Sequence, residues 1–292
     1  VSNTQTAGKI LQDDEDFLVE VIDWQGRLAV RKSVKTTTRP ERLERLKNEA
    51  YGLKYFTDLA AKHPEINVYV PILYEVKPEF IVTEYIEQPS VGDKPQNLNK
   101  LARLLAQIDH IEPYGKAKIH PSFDYMDIRK RFPLWYMPTI NSKPKKLLTD
   151  AQISRVNKIL DRYQPYLTPR IAHGDLSPYF HAFMMPNNKI AFVDLEVFTP
   201  RGARYYDVAR CYTRLYEKAP STDAPKQFLS AFMQYADEIQ HRNEQLMAIL
   251  IQRTVGMQRD AGIDKTKGRD YRNRAAELLD LVLQNKLELL KA

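Results

Sequence analysis

Two carboxylates in separate apolar settings carry the chemistry that this sequence can do. The first is Asp175, in His173-Gly174-Asp175-Leu176-Ser177-Pro178; nineteen residues on comes Asp194, in Val193-Asp194-Leu195-Glu196. Phosphoryl transfer to a hydroxyl needs such a pair. One carboxylate orients the acceptor and takes its proton, and the other holds magnesium on the nucleotide phosphates. Between them, residues 180–185 and 189–193 flank the turn Pro186-Asn187-Asn188 and read as a β-hairpin closed by Asp194. A hairpin folds the chain back, so the two carboxylates are expected to converge on one cleft.

These residues resemble the catalytic core of the aminoglycoside phosphotransferase and choline kinase group, relatives of the protein kinases, which reads H-G-D-L-x-x-x-N, a hairpin, then I-D-W/F-E. The resemblance implies a two-lobed α+β fold. A small antiparallel-sheet N-lobe would occupy residues 1–87, and a helical C-lobe with the catalytic loop and the substrate region residues 88–292. It implies Asp175 as the base in a loop opened by His173, and Asp194 as the magnesium ligand with Glu196 supporting it. Asp207, in Gly202-Ala203-Arg204-Tyr205-Tyr206-Asp207-Val208-Ala209, resembles the Asp that braces the catalytic loop. The implied activity is transfer of the γ-phosphoryl group of ATP (or GTP), with Mg2+, to a hydroxyl of a small molecule.

One position departs from the pattern. The metal-binding Asn of the group falls at position 180, where this chain has Phe180 with His181 beside it. A phenyl ring cannot ligate magnesium, which takes oxygen ligands. His181 reaches the site as a metal ligand if the loop is shifted by one residue, although imidazole suits transition metals better; otherwise it points off a strand. A kinase-like protein that binds a ligand or partner without catalysis is therefore the alternative to an enzyme.

The elements that must position these groups follow from periodicity. Residues 16–23 and 27–35 form two strand-like runs across Asp23-Trp24-Gln25-Gly26. In the second run Leu28, Val30, Lys32 and Val34 share one face, and Ala29, Arg31 and Ser33 the other. A helix over residues 40 to about 61 keeps Leu43, Leu46, Ala50, Leu53 and Phe56 at helical spacing. The resemblance places Glu49 of this helix in an ion pair with the phosphate-binding ammonium. That cation is Lys32, with Arg31 as the rival, because alternation does not say which face meets the nucleotide. Strands are expected over residues 68–74 and 80–86. The second resembles the group's hinge strand, whose backbone at Glu84, Tyr85 and Ile86 would bind adenine.

The first turn, Gln12-Asp13-Asp14-Glu15-Asp16, has no glycine and four carboxylates. It reads as a solvated loop pointing away from the nucleotide, or as one that meets a cation. From residue 97 the chain reads as helical, with helices over 150–163, 207–216, about 223–261 with a break near Asn243, and 270–291. Asp109 stands where the group often has His. Glu196, Asp260 and Asp264 could receive a cationic acceptor, but Arg253, Arg259 and Lys265 stand among them, so the acceptor cannot be named.

Composition sets the remaining bounds. The chain has 292 residues, 43% of them hydrophobic, enough to bury a full core. No apolar run approaches a membrane span, and the polar amino end lacks a signal-peptide core. The single cysteine, Cys211, cannot form an internal disulfide and reads as a small core residue, with a cytoplasmic location as the default. The net charge of +7 concentrates at Arg129-Lys130-Arg131 and residues 143–146, interleaved with Phe132, Trp135 and Tyr136. Basic residues with aromatics can grip nucleic acid, but a solvated insertion near the substrate region is the simpler reading, and nucleic acid is not expected as a partner.

Overall fold

The computed structural model describes residues 7–35, 40–115, 126–137, 139–140, 143–144, 146–218, 223–263 and 269–284. In chain order the elements begin with β1 (Ile10–Asp13), β2 (Phe17–Trp24), β3 (Arg27–Val34), α1 (Pro40–Lys62), β4 (Val68–Tyr69), β5 (Leu73–Val76) and β6 (Phe80–Glu84). Then follow α2 (Pro95–Asp109), α3 (Ile128–Tyr136), β7 (Thr139–Ile140), β8 (Lys143–Pro144), α4 (Asp150–Tyr163) and β9 (Pro169–Ala172). The last are β10 (Ala182–Met184), β11 (Ile190–Phe192), β12 (Thr199–Ala203), α5 (Tyr206–Lys218), α6 (Ala224–Tyr235), α7 (Arg242–Ile263) and α8 (Arg269–Leu283). The fold is α+β and clusters into two compact units. Unit 1 takes Val1–Asp93 with Tyr179–Phe198, and unit 2 takes Lys94–Pro178 with Thr199–Ala292.

In unit 1 a five-stranded sheet runs β1-β2-β3-β6-β5, every neighbour antiparallel. Gln25 (φ 53°) and Gly26 (φ 79°) both take positive φ at the β2–β3 turn, the geometry that matches the twist of a tight hairpin. The Gly26 N–H donates to Asp23 Oδ1 at 2.8 Å and fixes the turn. The resulting register sets Lys32 opposite Val19. α1 lays Leu46 and Ala50 against Phe17, Val34 and Ile81 to form the core under the sheet, and Glu49 shares that buried stretch of the helix.

Two expectations for this unit change. The single strand over residues 68–74 is two: β4 pairs in parallel with β11, while β5 pairs with β6 in the other sheet. Pro71 lies between them, and proline has no N–H for a ladder. Residues 10–13 form the edge strand β1, and only the turn after it carries the remaining acids. There Asp14 accepts the N–H groups of Asp16 and Phe17, Lys35 pairs with Asp13, and Arg42 pairs with Asp16 at 2.6 Å. Two of the four carboxylates are thus paired with cations within unit 1. The hairpin expected after Asp175 is present as β10–β11, with Asn188 at φ 63° in its turn.

Unit 2 is mainly helical. α2 buries Leu98, Leu101, Leu104, Leu105 and Ile108 along one stripe, and α4 opens on a reciprocal capping box between Thr149 and Gln152. The helix expected over about 223–261 with a break near Asn243 is α6 and α7, the break falling at residues 236–241, and α8 buries Leu278, Leu279 and Leu283. In the basic stretch Arg129 pairs with Asp161, and Phe132 is buried. Asp264, Lys265 and the end of the last helix lie outside the described residues. β9 pairs antiparallel with β12. Hydrogen bonds from the His173 and Gly174 N–H groups to Asp207 set the loop beginning at His173 beside the start of α5. Among the described residues, no helix is long and apolar enough to cross a membrane.

Candidate functional site

Unit 1 contains a cavity of about 710 Å3 lined by Val30, Lys32, Glu49, Glu84, Tyr85, Ile86, Phe180, His181 and Asp194, among others. Seven of the residues singled out from sequence therefore meet in one space: Lys32, Glu49, Glu84, Tyr85, Ile86, His181 and Asp194. β3 supplies Lys32, α1 supplies Glu49, and β6 with the residues after it supplies positions 84–86. The β10–β11 hairpin presents His181 and Asp194 from its two ends. Val19, Ile81 and Phe183 give the same cavity apolar walls, and Gln12 of the first turn also lines it.

Lys32 is the hub. Its Nζ lies 2.9 Å from Glu49, 2.5 Å from Asp194 and 2.9 Å from Glu196, and it is 7% exposed. Asp194 and Glu196 each accept a hydrogen bond from it, while Glu49 Oε2, buried without a hydrogen bond, faces the ammonium as an ion pair. Burial works against its charge, but Asp194, Glu49 and Glu196 together hold its pKa well above the ordinary value. One ammonium cannot neutralise three carboxylates. Burial, opposed by the pull of Lys32, pushes Glu49 up to about 7, and the excess negative charge of Asp194 and Glu196 adds to the rise. The neighbouring Arg31 instead pairs with Glu20 at 2.9 Å and does not line the cavity.

Glu196 points into this network. Its second oxygen accepts from Arg45 at 2.9 Å, and Asn48 donates to the backbone carbonyls of Glu196 and Phe198. α1 therefore grips the segment after Asp194 through Arg45 and Asn48, one helical turn apart. Arg45 and Asn48 were not foreseen from the sequence. Their spacing from Glu49 reads as an ordinary solvated helix face.

The oxygens of Glu49, Asp194 and Glu196 lie within 4.8 Å of one another, as metal ligands would. Lys32 already bridges all three, so the trio as a whole is a lysine socket. Asp194 alone is placed for a cation: its side chain remains 32% exposed, and its Oδ2 lies 3.5 Å from His181 Nε2. Its backbone takes φ 60°, a left-handed conformation that Asp tolerates better than most residues. Magnesium is commonly held by one or two carboxylates with phosphates and water completing the shell, and Asp194 fits that demand. Phe180, 54% exposed and lining the cavity, offers no ligand atom.

His173, Asp175 and Asp207 belong to unit 2. His173 is buried, and Gly174 takes φ 89°, which turns the chain sharply before Asp175. Asp207, at the start of α5, accepts the N–H of His173 at 2.6 Å and that of Gly174 at 3.0 Å. Burial pushes its carboxyl up to about 6 against these two hydrogen bonds. The Asp175 carboxylate accepts from Arg210 of α5 and is 36% exposed at its side chain. Arg210 was also missed. Asp207 and Arg210 stand one helical turn apart, and that spacing could have revealed it. Asp109 is spent elsewhere, paired through both its oxygens with the buried Arg204.

Solved structures with this fold act as comparisons. The structure of a microcompartment-associated aminopropanol kinase matches with a TM-score of 0.64 at 14% identity, covering 97% of this chain and 91% of that one. A thermostable mutant of aminoglycoside phosphotransferase APH(4)-Ia, in ternary complex with AMP-PNP and hygromycin B, matches with a TM-score of 0.62 at 12% identity, covering 98% and 96%. Choline kinase LicA from Streptococcus pneumoniae matches with a TM-score of 0.57 at 16% identity, covering 95% of each chain. At these identities the likeness shows a kinase-like fold. No curated protein matches the chain. The model of the APH phosphotransferase enzyme family matches residues 8–243, and the chain belongs to that family.

Proposed function

We propose that this protein is an ATP-dependent kinase of a small-molecule alcohol. The observation that carries the reading is the Lys32 hub at the wall of a nucleotide-sized cavity, with Asp194 exposed beside it. AMP-PNP in the complex of the aminoglycoside phosphotransferase supports ATP over GTP as the donor. The purine would lie between the apolar walls of the cavity, against the backbone of Glu84, Tyr85 and Ile86. Lys32 would neutralise the phosphates, with Glu49 holding it in place. Asp194 is the residue that would hold magnesium; bound there, the ion would supply charge neutralisation at the phosphate oxygens.

Asp175 would orient the acceptor hydroxyl. As the new O–P bond forms and the bond to the leaving ADP breaks, the hydroxyl proton passes to the Asp175 carboxylate. His173 and Gly174, tied to Asp207, hold the loop that carries it. A silent nucleotide-binding module is the reading that Phe180 favours. The half-exposed Asp175, braced by buried Asp207 and Arg210 and not among the residues lining the cavity, is what favours catalysis.

The test is Asp175→Asn in the full chain, assayed for ATP turnover against a panel of amino alcohols and sugars. Loss of general-base assistance should cost about 10²–10⁴ in kcat with ATP affinity retained. Full activity in Asp175→Asn would remove Asp175 from the chemistry.

A further inference from the structure

One turn of α5 touches the H-G-D-L loop at four consecutive residues. Asp207 takes the backbone N–H groups of His173 and Gly174, Arg210 donates Nη2 to Asp175 Oδ1, and Cys211 Sγ lies 3.9 Å from the Leu176 carbonyl. Positions i and i+3 share a helix face, so one rigid element fixes both the backbone of the loop and the side chain at its centre. Arg210 is only 9% exposed, and its Nε is buried with no acceptor among the described residues. A guanidinium buried with an unmet donor is costly unless a carboxylate compensates it. Burial opposes the charge of Arg210, and Asp175, first among the groups that oppose burial, holds its pKa above the ordinary value, with Tyr206 and Asp260 adding to the effect. No other hydrogen bond of the Arg210 guanidinium is present among the described contacts.

We propose that Arg210 is a positioning residue, whose ion pair with Asp175 helps fix the orientation in which the carboxylate meets the acceptor hydroxyl. The inference rests on the reading of Asp175 as the proton acceptor. Arginine stays charged throughout the neutral range, so the clamp does not titrate. Phosphoryl transfer draws most of its rate from positioning rather than from covalent work by the protein, and a carboxylate that loses its Arg210 contact loses part of that contribution.

The experiment uses Arg210→Ala, Arg210→Lys, Asp175→Asn and the Arg210→Ala/Asp175→Asn double variant of the full chain. It measures kcat for ATP turnover, including acceptor-independent hydrolysis, and ATP affinity by calorimetry. Arg210→Ala should lower kcat by about 10- to 100-fold, the scale of a misplaced reacting group, with ATP affinity and the KM for ATP unchanged. Arg210→Lys should recover part of the loss, and guanidinium at sub-denaturing concentration should restore Arg210→Ala. In the Asp175→Asn background, removing Arg210 should cost nothing further. An unchanged kcat in Arg210→Ala, or an equal loss in both backgrounds, overturns the proposal. Should Arg210→Ala fail to fold, Arg210→Lys decides by the same criteria. Wild-type chain that binds ATP without any turnover sinks the kinase reading instead. The pair is then judged by urea unfolding, where additive effects of the two single variants would refute the clamp.

Discussion

Asp207→Asn separates the ionisation of Asp207 from the rest of the fold. The carboxyl is 8% exposed and is pushed up from 3.8 to about 6, first by burial. A folded-state pKa above the unfolded one means that the folded chain holds the proton more tightly. The group therefore favours folding fully below pH 3.8, and that contribution is lost as the pH rises through about 6. At about 1.4 kcal/mol for each pH unit, the span corresponds to about 3 kcal/mol. Asn has no such ionisation, so the stability of Asp207→Asn relative to wild type should rise by about 3 kcal/mol between pH 3.5 and 7.5. A constant offset sits beneath this change. The Asn amide can present only one oxygen to the two N–H groups of His173 and Gly174, and a buried unmet donor costs about 1–3 kcal/mol. Urea unfolding of both proteins across that pH range measures the difference directly. A difference that stays flat, or that moves toward wild type as pH rises, would refute the reasoning about burial.

Two further substitutions test how the site is supported. Asp109→Ala leaves the guanidinium of Arg204, 4% exposed, without its partner. The expected loss is about 3–5 kcal/mol in urea unfolding, whereas Asp109→Leu with Arg204→Met should recover most of it. Gly52→Ala would set a Cβ 2.9 Å from Leu195 Cβ and 3.0 Å from Phe198 Cβ. It should destabilise the chain by about 1–3 kcal/mol and weaken nucleotide affinity by displacing the segment after Asp194, read by unfolding and calorimetry together.

Local signals made much of this legible. The alternation around Lys32, the apolar spacing of α1 and the Asn-containing turn before β11 each report on neighbours within a few residues, and the sequence predicts those elements. What it could not supply was the choice among faces. Alternation left Lys32 and Arg31 level; the structure separates them because β3 pairs between β2 and β6, with Lys32 facing α1 and Arg31 facing Glu20. Glu196 looked like a group awaiting a cationic acceptor, and it instead closes the Lys32 socket across 164 residues of sequence. Arg45 was invisible for the same reason: its partner Glu196 is distant along the chain. The β4–β5 break is hidden because six apolar or aromatic residues around Pro71 outweigh its missing N–H in the pattern.

The most direct test of the account is calorimetric titration of ATP with and without Mg2+, on the wild-type chain and on Asp194→Ala. The account predicts binding that tightens with Mg2+ in wild type, and loss of that Mg2+ dependence in Asp194→Ala. Absence of ATP and GTP binding under every condition, or a Mg2+ dependence untouched by Asp194→Ala, would contradict it.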